Sequence, residues 1–260
     1  KLIKLSKQIQ EVLDIKDDEL SPDNLIKAIL RSPVDLLFNG GIGTYVKGSG
    51  ESHGEVGDRF NDSVRINGIH LRAKVVGEGG NLGLTQKGRI EYALNGGRVN
   101  NDAMDNSAGV DCSDHEVNIK IALSQAIKSK KITLKKRNIL LEEMTDDVSS
   151  LVLVDNQLQS GAITIARLQS IRDLPYYQSF ISYLEKQDLL NREIEFLPSD
   201  IELKRRDAEK LGLTRPELCV LLSYSKMKLY NEIINTKLVD DNYFESMLFE
   251  YFPSKISRNF

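Results

Sequence analysis

Hydrophobic and polar positions follow two different spacings in the first part of the chain. Short apolar runs at residues 34–38 and 72–76 are rich in aliphatic or β-branched side chains, and each is soon followed by glycine and asparagine. The segments 2–13, 25–30 and 85–94 instead carry apolar residues at helical spacing, and a further helix is possible at 55–66. Helices that alternate with short strands are typical of an α/β fold with a parallel sheet.

The pattern changes beyond Ser113. Glycine becomes rare, and apolar residues keep helical spacing from Val117 to Leu229. Thr145, Ser199 and Thr214 are candidate helix N-caps, because their hydroxyl oxygens can accept hydrogen bonds from free backbone N–H groups. We therefore predict that the α/β part is followed by a mostly α-helical C-terminal region.

Three further signals predict where helices begin. Ser21 with Pro22 is a plausible N-cap followed by proline in the first turn. Thr85 can cap the helix that runs to residue 94. Ser113 with Glu116 has the spacing of a capping box, which predicts that a helix begins at Ser113.

Two turns rich in glycine and asparagine follow the two predicted strands. They consist of Asn39, Gly40 and Gly41 after the first strand, and of Glu78, Gly79, Gly80 and Asn81 after the second. In open α/β sheets, ligands bind beyond the carboxyl ends of the strands, where glycine lets them approach the backbone. Both turns are therefore predicted to line one ligand crevice.

Asn106 and Ser113 are two further candidates, and each has two interpretations. Asn106 precedes a turn of small residues, which its side chain could simply stabilise, or its amide could pair with a ligand carboxamide. Ser113 could only cap a helix, or its hydroxyl could also donate to a carboxylate bound at that helix N-terminus. The residues alone leave both pairs of interpretations open.

Composition narrows the class of protein. The chain has 260 residues, of which 40% are hydrophobic and 28% charged, as in soluble globular proteins. Its net charge of −3 gives no basis for binding nucleic acid or an anionic membrane. Two cysteines cannot form a disulfide framework, and the pattern shows no membrane span or signal peptide, so we predict a cytoplasmic protein. Because the chain starts at Lys1 within a predicted helix, we expect a fragment of a longer protein.

A metal site is not predicted. Cys112 and His115 stand among the acidic residues Asp111, Asp114 and Glu116, which superficially resembles a metal cluster. A second Cys or His pair at suitable spacing is missing, so His115 is interpreted as a polar residue of a first helical turn.

Two of these segments resemble motifs of the glutamate dehydrogenase family. Glu-Gly-Gly-Asn at 78–81 is similar to the family's Glu-Gly-Ala-Asn, and residues 106–113 are similar to Asn-Ala-Gly-Gly-Val-x-x-Ser with the same spacing. Longer phrases at 36–46, 89–98 and 111–120 are closer to one branch, the large NAD-specific bacterial glutamate dehydrogenases. The resemblance extends over about residues 30–255.

The resemblance implies a fold and a reaction. Residues 1–120 would be the second half of a Rossmann-like dinucleotide-binding domain, with a parallel sheet and flanking helices, and residues 121–260 a helical C-terminal domain. The reaction would be oxidative deamination of L-glutamate to 2-oxoglutarate and ammonia, with NAD as cofactor. The family's catalytic lysine and aspartate would lie upstream, so no catalytic residue is expected on this chain and the isolated chain is expected to be inactive.

The resemblance also implies residue roles. The cofactor-binding residues would be Asn39, Gly40, Gly41, Glu78, Gly79, Gly80, Asn81 and Asn106. Within this set, Asn81 would contact the nicotinamide ribose region and Asn106 the nicotinamide carboxamide, while Ser113 would bind the distal carboxylate of glutamate. Gly80 replaces an alanine of many relatives, a change expected to have little consequence.

Two other functions remain open at this point. Residues 120–260 could form a helical surface for assembly, in which case the chain would be a non-catalytic interaction module. A dehydrogenase for another amino acid would share the cofactor asparagines and differ at the substrate's far end. A homo-oligomer is expected for the enzyme.

Overall fold

The strands and helices are short in the first part of the chain and longer afterwards. A computed structural model describes residues 1–257 and their side chains, apart from that of Val239. The strands are β1 (Ile3–Lys4), β2 (Glu19–Leu20), β3 (Leu36–Asn39), β4 (Val46–Lys47), β5 (Ile66–Asn67) and β6 (Val75–Glu78). The α-helices are α1 (Lys7–Leu13), α2 (Pro22–Leu30), α3 (His53–Val56), α4 (Gln86–Leu94), α5 (Asp102–Asp105), α6 (Ser107–Lys128), α7 (Leu134–Glu143), α8 (Thr145–Arg172), α9 (Leu174–Lys186), α10 (Asp200–Ala208), α11 (Arg215–Ile234), α12 (Glu245–Tyr251) and α13 (Ser254–Ser257). Short 3-10 helices occur at Arg59–Asn61, Gly68–His70, Lys237–Asp240 and Asn242–Phe244.

The strands pair in the parallel sense that the alternation with helices predicts. β3 pairs with β6 in parallel, and β4 pairs with β5 in parallel. A parallel bridge also joins Val75 to Arg98. β1 and β2 form a separate antiparallel pair. The prediction of an α/β region with parallel strands, followed by helices, is confirmed at this level.

Contacts divide the chain into two compact units. Unit 1 comprises Lys1–Asn106 and Gly161–Tyr224, and unit 2 comprises Ser107–Ser160 and the chain from Ser225 onwards. Both units are discontinuous in sequence, whereas the predicted domains 1–120 and 121–260 are continuous. That domain boundary stays a prediction.

Each unit has its own apolar core. Unit 1 contains a cluster around the parallel strands, which includes Val46, Val76 and Leu84, and a separate helical cluster that includes Ile181 and Leu213. The core cluster of unit 2 consists of Ile119, Leu123, Met144 and Ile256. Among residues 1–257, no helix is both long and apolar enough to span a membrane.

Several predicted helix starts are confirmed because a side chain satisfies a free backbone donor there. The Ser21 hydroxyl accepts from the N–H of Asn24 (3.3 Å), with Pro22 as the first residue of α2. The Thr85 hydroxyl accepts from the N–H of Gly88 (3.0 Å) at the start of α4. Ser199 likewise caps α10.

Two further N-cap predictions are confirmed only in part. At Thr214, one arm of the predicted capping box is present: the Thr214 N–H donates to the Glu217 carboxylate (2.7 Å). Thr145 is the first residue of α8, and its hydroxyl donates to the carbonyl of Glu142 (3.0 Å).

Other helix predictions are wrong. Residues 55–66 contain the end of α3, a 3-10 turn and the first residue of β5, because Gly57 adopts a left-handed φ of 76° and ends the helix. The first helix begins at Lys7, since residues 3–4 pair with β2 instead.

The predicted start at Ser113 is wrong too. Helix α6 already begins at Ser107 and passes through Ser113 without interruption. Residues 107–112 are small or flexible enough to enter a helix, and a single glycine such as Gly109 costs only about 1 kcal/mol there.

Candidate functional site

The two glycine turns leave the same edge of the parallel strand pair. Asn39, the last residue of β3, lies opposite Glu78, the last residue of β6. The carbonyl of Asn39 accepts hydrogen bonds from the N–H groups of Gly79 (2.9 Å) and Gly80 (3.1 Å). The two turns therefore lie side by side, and the ligand crevice that they are predicted to line stays a prediction.

The glycines of the turns serve different purposes. A Cβ added at Gly80 would lie 2.2 Å from the carbonyl oxygen of Gly41, and one added at Gly79 would lie 2.5 Å from the Phe38 ring. The contact at Gly80 is with backbone and favours glycine there, whereas the contact at Gly79 is with the far end of the exposed Phe38 side chain, which can move. A Cβ added at Gly41 would meet no described atom within 4 Å, so the backbone there faces open space.

The side chain of Asn39 lies beneath the turns. Its Oδ1 accepts from the N–H of Gly41 at 3.4 Å, which is a long hydrogen bond. Its Nδ2 is enclosed, and no hydrogen-bond acceptor for it lies within residues 1–257. A Cβ at Gly83 would lie 1.8 Å from this nitrogen, so Gly83 leaves the space that the amide occupies. The protein therefore provides one enclosed donor at the turns that its own fold does not use.

The buried carboxylate of Glu78 supports the second turn through hydrogen bonds. The residue has no exposed surface, and its carboxylate accepts from Arg89 Nε (2.7 Å) and Arg89 Nη2 (2.9 Å). The same carboxylate accepts from the N–H of Leu84 (3.0 Å). Burial raises the pKa of the Glu78 carboxyl, and the hydrogen bonds from Arg89 oppose that rise. In this arrangement the carboxylate of Glu78 holds the turn in place and is not open to a ligand.

Helix α5 also fixes the second turn, through hydrogen bonds to two aspartates. The N–H of Glu78 donates to the carboxylate of Asp105 (3.0 Å), and the N–H of Leu82 donates to that of Asp102 (2.7 Å). Asp102 also lies 3.2 Å from Arg89 Nη2. Neither aspartate was predicted to belong to the site, although two acids in one helical turn just before Asn106 are visible in the sequence. Nothing local in the sequence shows that their partners lie 20 and 27 residues upstream.

Asn81 and Asn106 meet at this edge. Asn106 ends α5, and its Nδ2 donates to Asn81 Oδ1 at 3.0 Å. Asn81 is exposed and Asn106 is half-buried. Within the described chain, Asn106 Oδ1 and Asn81 Nδ2 have no hydrogen-bond partner, so the pair retains one acceptor and one donor. That combination is the complement of a carboxamide group.

Ser113 lies in unit 2, exposed on the second turn of α6. Because α6 begins at Ser107, the helix N–H groups without intrahelical partners belong to its first turn and not to Ser113. The predicted role of Ser113 as a helix cap is therefore wrong. Its exposed hydroxyl remains available as a donor, and its contact with a substrate carboxylate stays a prediction.

Comparisons with known proteins match nearly the whole chain. Residues 1–166 match the family model described as "Bacterial NAD-glutamate dehydrogenase, catalytic domain", and residues 210–260 match "Glutamate dehydrogenase, C-terminal". The chain is 49% identical over 266 residues to the NAD-specific glutamate dehydrogenase of Mycobacterium tuberculosis and 49% identical over 260 residues to that of Halomonas elongata. It is 47% identical over 260 residues to that of Pseudomonas aeruginosa. All of this chain is covered in each comparison, but it spans only 16% of the length of each of these relatives.

Proposed function

Because this chain belongs to the bacterial NAD-glutamate dehydrogenase family, we propose that it is part of an enzyme that oxidatively deaminates L-glutamate to 2-oxoglutarate and ammonia. The proposal extends to NAD as the cofactor, since the similar proteins of three bacteria are NAD-specific. Its strongest structural support is the 3.0 Å hydrogen bond between Asn106 and Asn81. Two asparagines predicted to bind neighbouring parts of one cofactor are thereby brought together from separate segments.

The parallel strands support a Rossmann-like domain. β3 and β6 are parallel, the helices α2 and α4 precede and follow them along the chain, and the glycine turns stand at the carboxyl ends of the strands. This is the edge at which α/β sheets bind dinucleotides. We place this domain at residues 1–120 and a helical C-terminal domain after it. The two free cysteines, Cys112 and Cys219, support a cytoplasmic location.

The turns fit a nicotinamide nucleotide in three respects. The Asn81–Asn106 pair retains the acceptor and the donor that a carboxamide needs. Gly41 leaves its backbone open to an approaching group, and Gly40 precedes it on the same turn. Asn39 holds an enclosed amide donor that has no acceptor within residues 1–257. Glu78, Gly79 and Gly80 would act indirectly, by fixing the turn that carries Asn81.

Each residue would contribute positioning. When bound, NAD supplies the hydride acceptor. Asn106 would orient the carboxamide, and with it the face of the ring that the substrate meets, while Asn81 would hold the ribose region. The Ser113 hydroxyl would donate to the distal carboxylate of glutamate. Such orientation lowers the barrier because the reacting groups no longer have to find each other by diffusion.

The experiment that tests the cofactor site is NAD binding to the full-length protein and its Asn106→Ala variant, measured by calorimetry. Loss of one amide hydrogen bond should weaken binding by about 1 kcal/mol, or roughly fivefold. Asn95→Ala, at the exposed C-terminal end of α4, is the matched control and should bind NAD as tightly as the wild type. Equal affinity in all three proteins would refute the role of Asn106.

The substrate site has a separate test in steady-state kinetics. Ser113→Ala in the full-length enzyme should cost about 1–3 kcal/mol of glutamate binding if the hydroxyl pairs with a carboxylate. The KM for glutamate should rise while NAD affinity stays unchanged. If both KM and kcat for glutamate equal those of the wild type, the assignment of Ser113 is wrong.

A further inference from the structure

Unit 2 contains a buried histidine with no hydrogen-bond partner. His115 lies on α6 and is 2% exposed. Neither ring nitrogen makes a hydrogen bond within residues 1–257. Burial of a polar group without a partner is unfavourable, so such a group in a native protein calls for an explanation.

Two carboxylates face the same ring nitrogen of His115. Asp111, one helical turn before it on α6, and Asp155 on α8 each place a carboxylate oxygen 3.9 Å from His115 Nε2. One ligand atom from each of the three residues lies within 4.8 Å of the others. The distances to Nε2 are too long for hydrogen bonds but leave room for an ion between the three groups.

The ring of His115 is held in this orientation by packing. It stacks on Tyr251, with ring centroids 4.6 Å apart and an angle of 22° between the planes. The Tyr251 hydroxyl donates to Asp114 (2.7 Å) and accepts from Asn118 (2.8 Å), which fixes the tyrosine as well. Nε2 therefore points at the carboxylates before any ligand binds.

We propose that Asp111, His115 and Asp155 form a binding site for a divalent transition-metal ion such as zinc. One imidazole nitrogen and two carboxylate oxygens are a common ligand set for such ions, and two carboxylates would balance the charge of the ion. Bond lengths of about 2.1 Å in tetrahedral geometry place ligand atoms about 3.4 Å apart. Small rotations of the two aspartates, which are 24% and 49% exposed, would close the remaining gap. The exposed side of Asp155 leaves the fourth position open to water.

This site would link the two helices that carry it. Asp111 and His115 share one face of α6, whereas Asp155 comes from α8, so a bound ion would hold these helices together in unit 2. His115 Nδ1 has no acceptor in the described chain, and the loss of such a supporting hydrogen bond typically weakens metal binding by about 10–100-fold. We therefore expect a site of moderate affinity. The proposal does not depend on the dehydrogenase activity.

Zinc binding to the metal-free chain tests the site, with equilibrium dialysis against ZnCl2. A Cys112→Ser background removes the exposed thiol as a competing ligand. One equivalent should bind, and Asp155→Asn should weaken that binding at least tenfold while circular dichroism stays unchanged. Asp146→Asn, an exposed aspartate earlier on α8, is the matched control and should bind like its parent. Equal zinc affinity in the Asp155→Asn variant and its parent would overturn the proposal.

Two further measurements test the ligand set. At a zinc concentration just sufficient to saturate the parent protein, the rise in melting temperature should be smaller in Asp155→Asn, since an ion stabilises the native state according to its affinity for it. The absorption spectrum with Co2+ in the wild-type protein should show nitrogen and oxygen ligation. A thiolate-to-cobalt charge-transfer band would assign the binding to cysteine and would contradict the proposed ligand set.

Discussion

Unit 1 and unit 2 differ in whether their buried polar side chains have hydrogen-bonded partners. In unit 1, Glu78 pairs with Arg89 at 2.7 Å and Arg206 pairs with Glu217 at 2.8 Å, with all four side chains at most 4% exposed. In unit 2, His115 is just as buried and has no hydrogen bond among the described residues. The fold gives each of these buried charges of unit 1 a hydrogen-bonded counter-ion, although Glu217 Oε1 has no partner among the described residues, whereas neither ring nitrogen of His115 makes a hydrogen bond there.

The difference helps to separate architecture from ligand binding. A buried ion pair that the chain completes holds elements in place, as Glu78 and Arg89 hold β6 against α4. A buried polar atom without a hydrogen-bond partner lowers the stability of the fold, and a ligand that pairs with the atom could remove this loss. In unit 1 the Asn39 amide nitrogen is such an atom, and it lies beneath the turns proposed to bind the cofactor. In unit 2 the corresponding atoms are the two ring nitrogens of His115, which have no hydrogen-bond partner within residues 1–257.

Removal of one partner from the Glu78–Arg89 pair should have the largest effect. Arg89→Met leaves the Glu78 carboxylate buried without its counter-ion and should lower the free energy of unfolding by about 3–5 kcal/mol. Urea denaturation of the chain measures this change. Lys74→Met is the matched control, because Lys74 pairs with Asp35 at the same 2.7 Å but on the surface. It should not change stability measurably, since exposed ion pairs contribute little.

A double variant tests whether the unpaired Glu78 carboxylate causes this loss of stability. Replacement of Glu78 by leucine in the Arg89→Met background removes the stranded carboxylate and should recover much of the lost stability. If Lys74→Met and Arg89→Met are equally destabilising, burial does not govern the strength of these pairs.

A smaller loss is expected at the contact between the two turns. Gly80→Ala places a methyl group against the carbonyl of Gly41, which must move, and overpacking of this kind costs about 1–3 kcal/mol. Urea denaturation and NAD binding to the full-length protein should both show the change. Gly41→Ala points into open space and should leave stability as it is. Wild-type stability of Gly80→Ala would mean that the turns are not packed as described.

The smallest change in stability is expected at His115. In the presence of a chelator, His115→Leu removes a side chain that makes no hydrogen bond within residues 1–257 and fills the space with an apolar group. The free energy of unfolding should change by less than about 1 kcal/mol, and a gain is as acceptable as no change. A loss as large as that of Arg89→Met would show that the metal-free protein satisfies His115 after all.

The site was predictable from sequence as two separate pieces. Glycine and asparagine after a β-branched run indicate a turn at a strand end, so the turns at 39–41 and 78–81 could be found by local pattern. Their adjacency followed from the parallel pairing that the alternation of helices and strands predicts. No local pattern predicts the hydrogen bond between Asn81 and Asn106 or the hydrogen bonds from the turn to Asp102 and Asp105. These contacts depend on packing between segments that are distant in sequence.

Sequence by itself determined the elements whose signals lie within a few residues, such as the caps at Ser21 and Thr85, because a hydroxyl next to free N–H groups acts locally. It also determined the family, because the motifs that carry the resemblance are long and can be read directly from the residues. Tertiary structure alone decided that α6 begins at Ser107, that Gly80 must be glycine, and that His115 meets Asp155. These outcomes depend on which distant groups fill the space around a residue, and helical or strand periodicity does not encode that.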